Sequence, residues 1–111
     1  MEKKTMLNKK VSIYVPSTMH DTPAPKNVVN YYINDTLKKL SVMFGGATAT
    51  TATGSYYSPE LDKLITEQIT ICYAYCSDYD RAALVAICEN LKVIFQQEAI
   101  SLETPEGLEF V

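Results

Sequence analysis

Two stretches of helical period, each followed by sequence patterned for strands, constrain this chain more than any other feature. Val29, Ile33, Leu37, Leu40 and Phe44 recur at spacings of four, four, three and four, and Tyr32 and Met43 widen the stripe. That pattern predicts an amphipathic helix from about Asn27. Gly45-Gly46 follows as its stop, because glycine takes the left-handed conformation that ends helices. Leu84, Ile87, Cys88, Leu91, Ile94 and Phe95 make a second stripe. It predicts a helix running to about Gln97, opened by the Ser-x-x-Asp start Ser77-Asp78-Tyr79-Asp80.

The remaining stretches read as strands and turns. Val11, Ile13 and Val15 alternate on one face of a first strand that Pro16 stops, and residues 17–26 form a Pro-containing loop. Residues 47–57, rich in Thr and Tyr, predict a second strand with Gly54 as a bulge or close-approach point. After a turn over residues 58–62, residues 64–76 are the strongest strand. Ile65, Glu67, Ile69, Ile71, Tyr73 and Tyr75 share one of its faces, which puts Glu67 in an apolar row. Ile100 and Leu102 mark a fourth strand, residues 104–107 a turn, and residues 108–111 a short fifth strand. The order is β-α-β-β-α-β with an extra C-terminal strand: an α+β, ferredoxin-like fold with two helices on one face of an antiparallel sheet. The expected organisation is a flexible basic tail over residues 1–10 and a single domain over 11–111. Tyr14, Tyr56, Tyr57, Tyr73 and Tyr75 put more aromatic surface on strands than a solvated face needs, so a homo-oligomer is expected.

Charge narrows the partners. Residues 1–57 hold seven Lys against three acids, whereas 58–111 hold three basic residues against ten acids. The net charge of −3 argues against general nucleic-acid binding, which phosphate neutralisation drives. The first ten residues lack the apolar run of a secretion signal, and no run approaches the ~20 apolar residues of a membrane span. Cys72, Cys76 and Cys88 are odd in number and lack zinc-site spacing, so reduced buried thiols in a cytoplasmic protein are the expectation. His20 is the sole histidine, which leaves neither a metal site nor a Ser-His-Asp or Cys-His set.

Individual residues offer chemistry alongside plainer readings. Gly45-Gly46 with Thr48 has the makings of a phosphate-binding turn, yet it follows a helix C-terminus, where the dipole disfavours anions, so helix stop is the better reading. Glu67 in an apolar row suits a general base, because burial favours the neutral acid; a carboxylate satisfied by a hydroxyl such as Tyr14 or Tyr57, or by backbone N–H groups, is the commoner arrangement. Arg81, the sole arginine, stands in the first turn of the second helix, able to clamp a phosphate or to pair with a neighbouring acid. Lys3, Lys4, Lys9 and Lys10 suit an acidic partner, though a solvated tail is the plainer reading. Gln96-Gln97-Glu98 can cap the second helix or read a nucleobase edge.

Three stretches taken together, Ile13-Tyr14-Val15-Pro16-Ser17-Thr18, Phe44-Gly45-Gly46-Ala47-Thr48 with Gly54-Ser55-Tyr56-Tyr57, and Glu67 leading to Gln97-Glu98-Ala99-Ile100, resemble a broad family of small phage, prophage and plasmid proteins. The resemblance covers about residues 11–103. Among phage proteins of this shape the chain looks like the Thoeris anti-defence sponges. That likeness implies a non-enzymatic homo-oligomer in the host cytoplasm that sequesters a nucleotide signal of the cyclic ADP-ribose type, or cyclic oligonucleotides. The residues whose chemistry suits such a ligand are Tyr14, Thr18, Thr48, Tyr56, Tyr57, Arg81 and Gln97, and no catalytic residue, cofactor or metal is expected. Two other readings stay open: an interaction module that inhibits a host protein through the Tyr-rich sheet, and a small enzyme using Glu67 as base.

Overall fold

The computed structural model describes residues 6–111, so Lys3 and Lys4 of the expected tail lie outside the described residues. The elements are β1(Lys9–Pro16), β2(Thr18–Met19), β3(Thr22–Pro23), α1(Lys26–Phe44), β4(Thr48–Ser58), β5(Lys63–Cys76), α2(Arg81–Ile94), β6(Ser101–Thr104) and β7(Gly107–Phe110). The main sheet has the order β4-β5-β1-β6-β7 and is antiparallel at every pairing. This is the ferredoxin-like arrangement that the sequence predicts, with β7 added at the β6 edge.

Each element follows from local chemistry. β1 begins at Lys9, two residues earlier than its apolar alternation suggests, because Lys9 and Lys10 pair with Cys76 and Tyr75 of β5. Lys9 and Lys10, expected in the tail, are therefore strand residues. α1 ends where Gly45 takes φ 89° and its N–H donates to the Ser41 carbonyl at 2.8 Å. α2 starts later than the Ser77 signal. Its N-cap is Asp80, whose carboxylate accepts from the Ala82 N–H at 3.0 Å, while Asp78 accepts from Tyr79. The loop over residues 17–26 contains the small β2–β3 hairpin, in which Thr18 pairs with Pro23.

Val11, Ile13 and Val15 of β1 face the helices, as their alternation predicts, and meet Leu40, Leu84, Leu91, Phe95 and Leu102 in a core without water access. On β5 the buried positions are Cys72, Ala74 and Cys76. The row Ile65, Glu67, Ile69, Ile71, Tyr73 and Tyr75 does share one face, but that is the open face of the sheet, and Glu67 is exposed. The row was legible; its side was not, because both faces of β5 carry apolar residues. Burial pushes the Cys72 thiol up to about 11 and the Cys88 thiol up to about 12, so both remain protonated at neutral pH.

On that open face Ser12 stands opposite Tyr73 and Glu103, wholly buried, with no partner for its hydroxyl among the described residues. A buried hydroxyl without a hydrogen bond is destabilising. Ser12→Ala is therefore expected to raise unfolding stability by about 1 kcal/mol in a denaturant titration; a loss of stability would show that the hydroxyl has a partner in solution.

Candidate functional site

β4 and β5 stay paired over eleven residues each, from Thr48↔Tyr73 to Ser58↔Lys63. Toward their common turn, residues 56–64 are mostly exposed and form an arm, and the molecule is elongated, 60 × 28 × 23 Å. Where this arm leaves the body, two adjoining cavities of about 550 and 350 Å³ form one groove. Tyr56, Glu67, Gln97 and Ala99 line both parts. Drug-sized ligands occupy pockets of about 300–1,000 Å³, so the groove has room for a nucleoside.

Five separate stretches contribute to it. β4 brings Gly54, Ser55 and Tyr56; Gly54 pairs with Glu67, and a Cβ there would meet the Ile69 Cδ1 at 3.8 Å, an ordinary contact. The strand continues through Gly54 in register, so the bulge expected there is absent. β5 brings Glu67 and β1 brings Tyr14. The β2–β3 hairpin brings Thr18, His20 and Asp21, and the segment after α2 brings Gln96, Gln97 and Glu98.

The α2 end explains that last wall. Gln96 takes φ 52°, its N–H donates to the Val93 carbonyl at 3.3 Å, and the Gln97 N–H donates to Lys92 at 3.0 Å. This is the left-handed helix ending that Gly45 supplies for α1, made here by a residue with a Cβ at a cost of about 1–2 kcal/mol. The helix consequently stops at Ile94, short of the expected Gln97. The Gln97 side-chain nitrogen lies 2.9 Å from the Thr18 carbonyl, 3.3 Å from the Thr18 hydroxyl and 3.1 Å from the Phe95 carbonyl. Two of these partners can only accept, which fixes the amide's orientation.

The groove's electrostatics are one-sided. Asp21, Glu67 and Glu98 lie along it, and among the described residues neither Lys nor Arg lines it. These carboxylates are spread out: among the described residues no group of three or more His, Cys, Asp or Glu is placed to hold a metal ion. His20 and Asp21 approach to 3.5 Å with both side chains largely in solvent.

Of the expected ligand residues, Tyr14, Thr18, Tyr56 and Gln97 meet in this groove. Tyr57 does not, because neighbouring strand residues point to opposite faces; its hydroxyl donates to Asp62 across the arm's turn. Thr48 lies at the far end of β4, beside Gly45 and Gly46 in a separate depression. Arg81 is also elsewhere. Its guanidinium makes a two-pronged pair with Glu109 of β7, one N–H···O distance being 2.9 Å, and this holds the Glu109 carboxyl below its ordinary range.

The sign of that pair's pH dependence follows. A lowered carboxyl in the folded state stabilises above the ordinary glutamate range near pH 4.3 and loses that contribution as pH falls through the lowered value. Arg81→Ala is expected to remove this part of the acid limb of a melting profile, with a small effect at pH 7 because the pair is exposed. It should leave ligand affinity within about twofold, since a rim charge outside the groove contributes little; a loss of tenfold would return Arg81 to the site. His20 and Glu98 were not in the expected ligand set; both sit in polar connecting segments whose spatial neighbours no local pattern announces.

No protein-family model matches this chain, and no curated protein matches it in sequence. No helix among the described residues is long and apolar enough to cross a membrane. In fold the chain is similar to a phage SAM lyase solved in complex with S-methyl-5′-thioadenosine, with a TM-score of 0.70, 16% identity, and coverage of 100% of this chain and 94% of that one. The apo form of a phage SAM lyase is similar too, at a TM-score of 0.64 and 17% identity, again over 100% and 94% of the two chains. At 16–17% identity the likeness is one of fold. The expectation of a non-enzymatic protein is corrected by this finding, because the shared fold is that of an enzyme.

Proposed function

We propose that the groove binds an S-adenosyl sulfonium nucleoside and splits it, releasing S-methyl-5′-thioadenosine. The observation that carries the reading is the groove itself: an aromatic ring at Tyr56, side-chain amides at Gln96 and Gln97, and carboxylates with no Lys or Arg among the described lining residues. Carboxylates attract a sulfonium and an ammonium, whereas the diphosphate of a cyclic ADP-ribose would meet like charge. The phage lyase of similar fold and its bound thioadenosine support the same ligand class. Under this reading the protein depletes a host methyl donor, which keeps a phage anti-defence role while replacing the sponge.

S-methyl-5′-thioadenosine is what remains when the bond from sulfur to the aminocarboxypropyl chain breaks. The electron pair stays on sulfur, and the sulfonium becomes a neutral thioether. The four-carbon fragment then completes its valence by losing a Cβ proton to a base, or by attack of its own carboxylate on the carbon that sulfur leaves. Glu67, common to both parts of the groove, suits the base in the first route and the holder of the fragment's ammonium in the second.

Calorimetry with S-methyl-5′-thioadenosine tests binding. Micromolar affinity is expected, weakened about tenfold or more in Tyr56→Ala because stacking on an aromatic contributes about 1–3 kcal/mol per base. An absence of binding heat at millimolar ligand would overturn the reading.

A further inference from the structure

The β2–β3 hairpin forms one wall of the groove, and its attachment is uneven. At its base the Ala24 N–H donates to the Ser17 carbonyl at 2.9 Å, and the Ser17 hydroxyl donates to the Gln68 carbonyl at 2.6 Å. The hairpin end of the chain is therefore anchored to β5. Its tip, with His20 and Asp21, is exposed and carries a residue in the left-handed region, His20 at φ 55°. Across from it stands Gln96, also left-handed at φ 52°. A non-glycine residue is held there only when its surroundings restrain it. The restraints at this contact are the His20 N–H to the Phe95 carbonyl at 3.2 Å and the Gln97 amide, shared between Thr18 and Phe95.

We propose that Gln97 is a positioning residue: its amide latches the β2–β3 hairpin to the end of α2 and so fixes the hairpin wall of the groove. The inference rests on the nucleoside reading of the groove for its functional consequence, but the latch itself is defined by the hydrogen bonds. Both amide hydrogens are committed to Thr18 and Phe95, so Gln97 acts on a ligand through the wall it places rather than through those donors. With the latch removed, the His20 backbone bond is the one hydrogen bond among the described residues that still ties the hairpin tip to the end of α2, and the wall that carries Thr18, His20 and Asp21 is freed to move.

Two variants test this in the intact chain. Gln97→Met keeps the side chain's length and removes its donors; Gln97→Glu keeps its shape and sets a carboxylate against two carbonyl oxygens. Hydrogen exchange of the amides over residues 18–22 is expected to speed up by about tenfold or more in both, while the core amides of β1 and α2 keep their protection. Affinity for S-methyl-5′-thioadenosine should fall together with that protection, and with S-adenosylmethionine KM should rise more than kcat falls. Unchanged hairpin exchange would overturn the latch, whatever happens to affinity. If the wild type fails to bind the thioadenosine, the functional reading fails, and the exchange result still decides the latch.

Discussion

Glu67→Gln is expected to lower turnover of S-adenosylmethionine by at least about 100-fold while leaving affinity for S-methyl-5′-thioadenosine within about threefold. The amide keeps the shape of the side chain, so the groove keeps its form, with Gly54 still paired opposite position 67. What disappears is the negative charge and the ability to take a proton, effects that contribute about 10²–10⁴-fold where a positioned carboxylate serves the reaction. The thioadenosine product lacks both the sulfonium charge and the amino-acid chain, so its binding does not draw on that charge. Turnover within threefold of wild type would remove Glu67 from the chemistry. Equal losses of turnover and thioadenosine affinity would instead make it a residue that shapes the groove.

The second large effect is on stability. Phe95 is fully buried, packs edge-on against Tyr32 with ring centroids 5.8 Å apart, and belongs to the single core beneath the sheet. Removing a buried phenylalanine ring costs about 3–5 kcal/mol in lost transfer energy and cavity formation. For a domain of this size each kcal/mol corresponds to about 4–8 °C in Tm, so Phe95→Ala should melt at least about 12 °C lower. Phe95 is also the C-cap of α2, and its carbonyl receives the His20 N–H and the Gln97 amide. The groove wall should therefore loosen with the core, and ligand affinity should fall along with Tm. A variant that melts within about 4 °C of wild type would mean that neighbouring side chains refill the cavity.

Much of the fold was legible because it rests on local patterns. The stripe from Val29 to Phe44 and the Gly45 stop describe α1 almost to its ends, and the alternation of Val11, Ile13 and Val15 picks the core face of β1. The end of α2 was not legible: a left-handed glutamine does there what glycine usually does, so the expected stop signal is missing. Similarly, the side of β5 that meets the helices depends on its pairing with β1, which puts Cys72 opposite Ile13. That pairing is a property of the whole sheet rather than of the strand.

The candidate site divides in the same way. Tyr14, Thr18, Tyr56, Glu67 and Gln97 were each marked by type and place, and the sheet register with the α2 turn brings them together. Arg81 was marked by rarity, yet β7 supplies Glu109, which pairs with the guanidinium away from the groove. Whether a site suits a phosphate or a sulfonium depends on which charges line it. That lining is set by tertiary contacts among the hairpin, the arm and the end of α2, and composition gives only the two halves' net charges.

Product analysis decides whether this groove splits a sulfonium nucleoside, as proposed. Purified protein incubated with S-adenosylmethionine is predicted to yield, by mass spectrometry, equimolar S-methyl-5′-thioadenosine and a four-carbon amino-acid fragment, and Glu67→Gln should not. Recovery of S-adenosylmethionine intact from the wild-type protein, at a rate no greater than its decay in buffer, would contradict it.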